Sequence, residues 1–131
     1  MTARFPPVPL PDSPFAAQLR VYCLGFPGAY EDYPWGDIVY KVGAKMFAST
    51  GPSLPVCVTI KANKDDADVL VGLPNVSRAR YVGQHGWVTV LLDDGETWEL
   101  ARDLIADSYD LVVPRTRRRR RSPNERAHGR R

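Results

Sequence analysis

Residues Asp37–Ser49 read DIVYKVGAKMFAS and have the pattern of a β-hairpin, the clearest structural signal in the sequence. Apolar side chains recur there at every second position, which is the period of a half-buried strand. The alternating positions before the turn are Ile38, Tyr40 and Val42. Gly43-Ala44 supplies a tight turn, and Lys45–Ser49 follows as the partner strand.

A two-residue turn fixes the pairing of this hairpin. Val42 is expected opposite Lys45, and Tyr40 opposite Phe47. The predicted core face then carries Ile38, Tyr40, Val42 and Phe47. The other face carries Val39, Lys41, Met46 and Ala48, a mixture that could face solvent or a partner.

A helix is predicted before the hairpin, and a third strand is predicted after it. Ser13 is a suitable N-cap and Pro14 a suitable first helical residue. The predicted apolar stripe of this helix is Phe15, Leu19, Tyr22 and Phe26. An aromatic and acidic connector, Ala29–Gly36, leads to the hairpin, and Val56–Lys61 alternates as the third strand.

The rest of the chain adds two helices and two strands. Asn63 is the expected N-cap of a second helix, with Val69, Leu70 and Val71 as its apolar side. Arg78–Val82 and Trp87–Leu92 are predicted strands. A last helix is predicted from near Thr97 to about Val113, with a buried stripe at Trp98, Ala101, Leu104, Ile105 and Val112.

This order predicts an α+β, two-layer fold, with an antiparallel five-stranded sheet covered by helices on one face (α-β-β-β-α-β-β-α). Residues 1–13 are expected to be an extended proline-rich leader, residues 14–114 a single domain and residues 115–131 a disordered arginine-rich tail. The 131 residues suit one domain. No apolar run approaches the length of a membrane span and no signal peptide is visible, so we predict a cytoplasmic protein without a membrane partner. The expected oligomeric state is a monomer. Cys23 and Cys57 are then expected to be reduced core thiols.

Charge is divided unevenly along the chain. Residues 1–114 hold 9 Lys and Arg against 14 Asp and Glu, whereas residues 115–131 hold 9 Arg against 1 Glu. The basic character therefore belongs to the tail and not to the fold.

Several stretches in order resemble the MmcQ/YjbR family. They are Trp35-Gly36 with the hairpin, Val58–Lys61 before an acidic helix, a turn ending in Trp87, and Leu104–Tyr109 followed by Leu111–Val113. The resemblance covers about Phe15 to Pro114. It implies a compact α+β fold likened to CyaY or to secretion chaperones, and a DNA-binding role. The turn Gln84-His85-Gly86-Trp87 departs from the His-Trp pair that is common in relatives.

No pattern of a catalytic centre is found, so we predict no catalytic residue, no cofactor and no metal site. His85 is the only histidine inside the predicted domain, and acid–base catalysis needs a second positioned group. Asp65, Asp66 and Asp68 could hold a divalent cation, but carboxylates at the start of a helix are also explained by the helix dipole. Ser108 is expected to hydrogen-bond back to its own helix or to pack, and not to attack a substrate.

The basic residues of the domain could gather round the edge of the sheet and bind nucleic acid, with Trp87 and Tyr81 as stacking surfaces. The predicted set is Lys41, Lys45, Lys61, Arg78, Arg80 and Trp87, with Lys64 nearby. Scattered lysines can equally serve solvation, and Trp87 can equally be a core residue.

The tail is the stronger prediction of a nucleic-acid contact. Its block is Arg115, Arg117, Arg118, Arg119, Arg120 and Arg121. A cluster without apolar residues cannot pack, and it would bind phosphates without reading base sequence. The predicted function is non-enzymatic, sequence-independent DNA binding. The alternative is a small protein- or peptide-binding module that uses the sheet face or the aromatic residues Tyr30, Tyr33 and Trp35.

Overall fold

The computed structural model describes residues 5–80 and 85–114. The helices are α1 Pro14–Leu24, α2 Lys64–Leu70 and α3 Gly95–Val112. The strands are β1 Tyr30–Asp32, β2 Ile38–Val42, β3 Lys45–Thr50, β4 Cys57–Lys61, β5 Val76–Arg78 and β6 Trp87–Leu91. A short 3-10 turn, Pro34–Gly36, joins β1 to β2.

The strands form one antiparallel sheet in the order β1-β2-β3-β4-β6-β5. α3 packs across β3 and β4, and α1 packs against α3. The predicted α+β class with three helices is therefore confirmed. The sheet has six strands and not five, because Tyr30–Asp32 pairs with β2 as an extra edge strand. Three residues are too few to show an alternating pattern in a sequence.

A β-bulge corrects the predicted register of the central hairpin. Val42 does pair with Lys45, but Tyr40 pairs with Ala48 and Lys41 with Met46. Phe47 is the extra residue between these pairs. Both Phe47 and Ala48 are fully buried in the core cluster, so Ala48 lies on the core face and not on the opposite face.

The core lies between the sheet and the helices. Its largest fully buried side chains include Tyr40, Phe47 and Tyr109, together with Ile38, Ile60 and Ile105. Phe26 stacks on Tyr109 with ring centroids 4.7 Å apart, and Phe47 meets the same ring edge-on at 5.3 Å. The Tyr109 hydroxyl donates to the Pro27 carbonyl at 2.7 Å, so its polar atom is satisfied.

Side-chain caps begin each helix. Ser13 and Asn63 accept hydrogen bonds from Phe15 N–H and Asp66 N–H, as predicted. α3 begins two residues earlier than the predicted Thr97, because Asp94 and Thr97 form a capping box.

Two predicted core positions are wrong. Val69 of α2 is 74% exposed, and Ala67 is the buried residue of that helix. Cys23 is a fully buried thiol, but Cys57 is only half-buried. Both cysteines are free.

Ser108 joins α3 to the middle of the sheet. Its hydroxyl donates to the Phe47 carbonyl at 2.6 Å and accepts from the Lys61 N–H at 2.9 Å. The direct ladder between β3 and β4 covers only Ala48–Ile60 and Ser49–Thr59. The serine hydroxyl therefore replaces a strand-to-strand hydrogen bond where the bulge separates the two strands.

Candidate nucleic-acid interface

The face of the sheet that points away from the helices is called the open face below. Alternation along β3, β4 and β6 sends one set of side chains to the core and the other set to this face. The half-buried members are Met46, Ser49, Cys57, Thr59, Lys61, Trp87, Thr89 and Leu91. The Thr59 and Thr89 hydroxyls hydrogen-bond across β4 and β6 at 2.8 Å.

Lys61 and Trp87 are direct cross-strand partners on the open face. Their Cβ atoms are expected to lie about 4.5–5.5 Å apart, so the ammonium group and the indole ring belong to one surface. The neighbouring main chain holds them in register, since Ala62 N–H donates to the Gly86 carbonyl at 2.9 Å. Gly86 has φ +91°, and a Cβ there would lie 2.2 Å from the Ala62 carbonyl oxygen, so only glycine fits.

Lys41 lies on the open face but is already paired. Its ammonium group is 3.4 Å from Asp32 Oδ2, and only 17% of its side chain is exposed. It also lies 5.8 Å from the centre of the Tyr30 ring. Asp32 is fully buried and accepts a hydrogen bond from the Phe5 N–H at 3.1 Å, so residues of the leader cover this part of the face. Lys41 can thus offer little free positive charge.

Lys45 is exposed beside the β2–β3 turn. Tyr30 Oη donates to the Gly43 carbonyl at 2.8 Å and steadies the turn, in which Gly43 has φ +61°. Pro114, two residues after the end of α3, packs here: a Cβ on Gly43 would lie 3.4 Å from Pro114 Cγ. The described chain therefore ends beside Lys45.

Of the two arginines near β5, Arg78 does not share the open face with Lys61. Arg78 is opposite Val88, a core residue, and is ion-paired with Asp68 of α2 on the helix side. Arg80 is exposed, two residues beyond β5. Lys64 is exposed at the first position of α2, also on the helix side.

The predicted cluster at one edge of the sheet is thus wrong in its arrangement. β2 and β5 are four strand spacings apart, about 19 Å. Lys61, Trp87 and Lys45 do share one end of the sheet, because β3 and β6 begin where β4 ends. Tyr81 and the predicted arginines from Arg115 to Arg121 lie outside the described residues.

A second surface feature, which the sequence did not predict, is a cleft between α2 and α3 of about 230 Å³. Its polar lining includes Asp66 of α2 and Asp107 and Asp110 of α3. Lys61 and Asn63 also line the cleft, and its apolar lining is Ile60, Ala62, Val69, Leu70, Leu104 and Leu111. Helical spacing along α3 puts positions 107, 110 and 111 on one side, but only the packing of α2 shows that this side borders a cleft.

The comparisons place the chain in a family. The YjbR family model matches residues 24–111. The chain belongs to the YjbR family.

Solved structures agree with this assignment. A Deinococcus radiodurans protein with a DUF419 domain is 26% identical, with a TM-score of 0.67 and 86% of each chain covered. A Pseudomonas syringae protein is 20% identical with a TM-score of 0.60, over 72% of this chain and 96% of its own, and shows the same fold. A search of curated proteins finds no match.

Three nucleophilic side chains of the described YjbR domain, Cys23, Cys57 and Ser108, are in unreactive settings. Burial raises the pKa of the Cys23 thiol and also that of Cys57, which disfavours the thiolate that would react. Ser108 uses its hydroxyl in two structural hydrogen bonds. Within residues 5–80 and 85–114, no three His, Cys, Asp or Glu residues are grouped so as to hold a metal ion. Over the same residues, no helix is long and apolar enough to cross a membrane.

Edge strand β1 carries two acidic residues that are paired on opposite faces of the sheet. Asp32 meets Lys41 on the open face, whereas Glu31 meets Arg20 of α1 at 2.7 Å on the helix side. The Tyr33 hydroxyl also donates to Glu31 at 2.7 Å. Burial would raise the pKa of Glu31, but the hydrogen bonds from Arg20 and Tyr33 outweigh it and hold the pKa below its ordinary value.

Proposed function

We propose that this YjbR protein is a non-enzymatic DNA-binding protein of low sequence specificity, located in the cytoplasm. Its arginine tail would supply most of the affinity, and Lys61 with Trp87 on the open face would position the bound strand. The DNA-binding role implied by the family resemblance agrees with this proposal.

One observation carries the proposal: the described chain ends at the same end of the sheet that holds the lysines and the tryptophan. Pro114 packs against Gly43 in the turn next to Lys45. Lys61 is two strands away from β2, about 10 Å in the direction across the sheet. A phosphate backbone held by residues that follow Pro114 can therefore reach Lys61 without crossing the domain.

The charge of the domain explains why the tail is needed. Residues 5–80 and 85–114 carry 8 Lys and Arg against 14 Asp and Glu. A net negative domain does not attract phosphates over long distances. The segment Arg115–Arg121, with six arginines among seven residues, does attract phosphates, and it releases counterions when it binds them.

The test is a titration of labelled duplex DNA, followed by fluorescence anisotropy at several salt concentrations. The full chain is compared with a full-length variant in which Arg115 and Arg117–Arg121 are replaced by Gln. If about five arginines meet phosphates, log K falls with log salt at a slope of about −4 to −5. The variant is expected to lose most of the affinity and of the slope.

A second DNA of unrelated sequence serves as the control for specificity. Equal affinity for both duplexes supports backbone binding, because no group in the tail is arranged to read base edges. Absence of binding by the full chain at low salt would refute the proposal. Full binding by the glutamine variant would move the binding site from the tail to the open face.

A peptide-binding module is the second candidate, and the exposure of Trp35 favours it. Trp35 is 92% exposed in the turn between β1 and β2, with φ +53°, and its ring lies 6.2 Å from that of Phe5. An exposed tryptophan in a left-handed conformation is unusual and is often a contact residue. Replacement of Trp35 by Ser would then abolish capture of a partner and leave DNA binding unchanged.

A further inference from the structure

The α2–α3 cleft combines an apolar floor with an acidic rim. Leu70 and Leu104 line it together with the carboxylates of Asp66, Asp107 and Asp110. The rim also exposes apolar side chains, because Val69 is 74% exposed and Leu111 is 37% exposed. Such a surface suits a side chain that is apolar along its stem and cationic at its tip.

Arginine has this chemistry. Its methylene stem can cover apolar surface while the guanidinium group forms paired hydrogen bonds with a carboxylate. Lysine offers only a point charge and is less suited to two-point contact with a carboxylate. A cationic tip suits the negative charge of this lining better than a neutral or acidic group does.

In the sequence, arginines follow shortly after the end of α3. Asp110 and Leu111, in the last turn of α3, line the cleft, and the arginine segment Arg115–Arg121 begins four residues after Leu111. Seven extended residues span about 24 Å. Pro114 lies beside β2, whereas α2 contacts β6 and β5, which are three and four strand spacings from β2, about 14–19 Å. An extended segment of this length is therefore long enough to reach Asp66 on α2.

We infer that the α2–α3 cleft is a docking site for the chain's own arginine segment, Arg115–Arg121, and that docking competes with nucleic-acid binding. The competition rests on the proposed function, whereas docking itself does not. Single exposed ion pairs contribute only about 0–1 kcal/mol each. A tethered segment acts at an effective concentration on the order of millimolar, which makes several weak contacts sufficient.

The first experiment detects docking without any DNA. Amide ¹H–¹⁵N spectra of the full chain at low salt are compared with those of the full-length variant with Gln at Arg115 and Arg117–Arg121. Differences are expected on α2 and the last two turns of α3, and not on β1. Roughly 0.5 M salt, where the screening length falls to a few ångströms, should move the full chain toward the spectrum of the variant.

Two outcomes of the first experiment would overturn the inference. Spectra that differ nowhere on α2 and α3 would mean that the segment does not dock. Differences that grow with protein concentration would assign the cleft to the tail of a second copy and refute docking within one chain. Variants with Lys in place of these arginines should show smaller differences at the cleft, since the charge stays but the paired hydrogen bonds are lost.

The second experiment measures the competition. The variant Asp66→Asn/Asp107→Asn is titrated with duplex DNA at low salt. If the segment is docked about nine-tenths of the time, its release raises the affinity about tenfold. The control is Asp12→Asn/Glu99→Gln, which makes the same change in net charge at exposed positions away from the cleft.

The control separates release of the tail from a general loss of negative charge. An equal gain in affinity in both double variants would refute the competition. If no variant binds DNA at any salt concentration, the proposed function fails, and the amide spectra still decide whether the segment docks. Melting temperatures of the two double variants are measured alongside, so that a change in folding is recognised.

Discussion

The two faces of the sheet use neighbouring residues for different purposes. On the helix side, Phe47 and Ile60 are fully buried beneath α3. On the open face, the adjacent residues Met46, Thr59 and Lys61 are half-buried. Because each strand alternates between these environments, substitutions one position apart should affect either the stability of the fold or the binding of a partner.

The same division separates the charges. The helix side has the acidic rim of Asp66, Asp107 and Asp110, whereas the open face has Lys61 beside Trp87. Both lie at the end of the sheet where α3 finishes, as the contacts of Ser108 with Phe47 and Lys61 show. The acidic and the basic surface therefore both lie near the end of the sheet where the described chain finishes.

The largest difference between the faces is expected for a pair of neighbours on β3. Phe47→Ala should lower the free energy of unfolding by about 3–5 kcal/mol, because it empties the position against Tyr109 and Phe26. Met46→Ala on the open face should cost under about 1.5 kcal/mol. Urea unfolding of both variants measures the two values. Equal losses would show that the open face is packed as tightly as the core.

Ser108→Ala should have the next largest effect. It leaves the Phe47 carbonyl and the Lys61 N–H without the hydroxyl that joins them, at a cost of about 2 kcal/mol. Ser77→Ala, at an exposed position of β5, is the matched control and should change stability by less than about 0.5 kcal/mol. Faster amide exchange at Lys61 in Ser108→Ala would locate the change. If Ser108→Ala is as stable as the unmodified chain, the serine hydroxyl is not needed to join β3 and β4.

Local signals predicted the elements that have them. Ser13 with Pro14 and Asn63 have side chains that cap helices whatever the tertiary structure, and both predictions are confirmed. The β2–β3 turn at Gly43-Ala44 is confirmed for the same reason. The bulge at Phe47 was missed because two adjacent apolar residues on β3 give no sign of which one is extra.

The positions of charged side chains could not be predicted in the same way. Lys41 and Lys61 have similar sequence surroundings. Lys41 is paired with the buried Asp32 of β1, whereas Lys61 lies beside Trp87 on β6. The edge strand that brings Asp32 there was not predicted. Arg78 was assigned to the binding surface, yet strand parity and Asp68 direct it to the helix side. These outcomes depend on pairing across the sheet and not on local sequence.

The ion pair between Glu31 of β1 and Arg20 of α1 should contribute about 1 kcal/mol to the free energy of unfolding, and this contribution should depend on pH. The pKa of Glu31 is lower in the folded state than in the unfolded state, so protonation favours unfolding. Its contribution is complete above about pH 4.3, the ordinary pKa of a glutamate, and is lost as the pH falls through the lower folded value. Glu31→Gln should reduce the loss of stability in acid, measured by urea unfolding between pH 6 and pH 3 (roughly the range in which carboxyl groups titrate).

The matched control for Glu31 is Glu99→Gln. Glu99 pairs with Arg102 on the exposed side of α3, at 3.4 Å and with 68% of its side chain exposed. Glu99→Gln should leave the acid dependence of stability unchanged, because exposed ion pairs contribute little to stability. An identical acid profile for Glu31→Gln and the unmodified chain would show that the Arg20 pair adds no stability.

The smallest expected effect tests the open face itself. Lys61→Gln should weaken DNA binding by about 0.5 kcal/mol and reduce the salt slope by about 0.9, the amount for one phosphate contact. Lys64→Gln removes the same charge three residues away, at the exposed start of α2 on the helix side. Anisotropy titrations at several salt concentrations compare the two variants. A smaller change in slope for Lys64→Gln would place the bound strand on the open face, because long-range attraction alone treats both lysines nearly alike. Equal changes would mean that the domain contributes only its overall charge and that the tail does the binding.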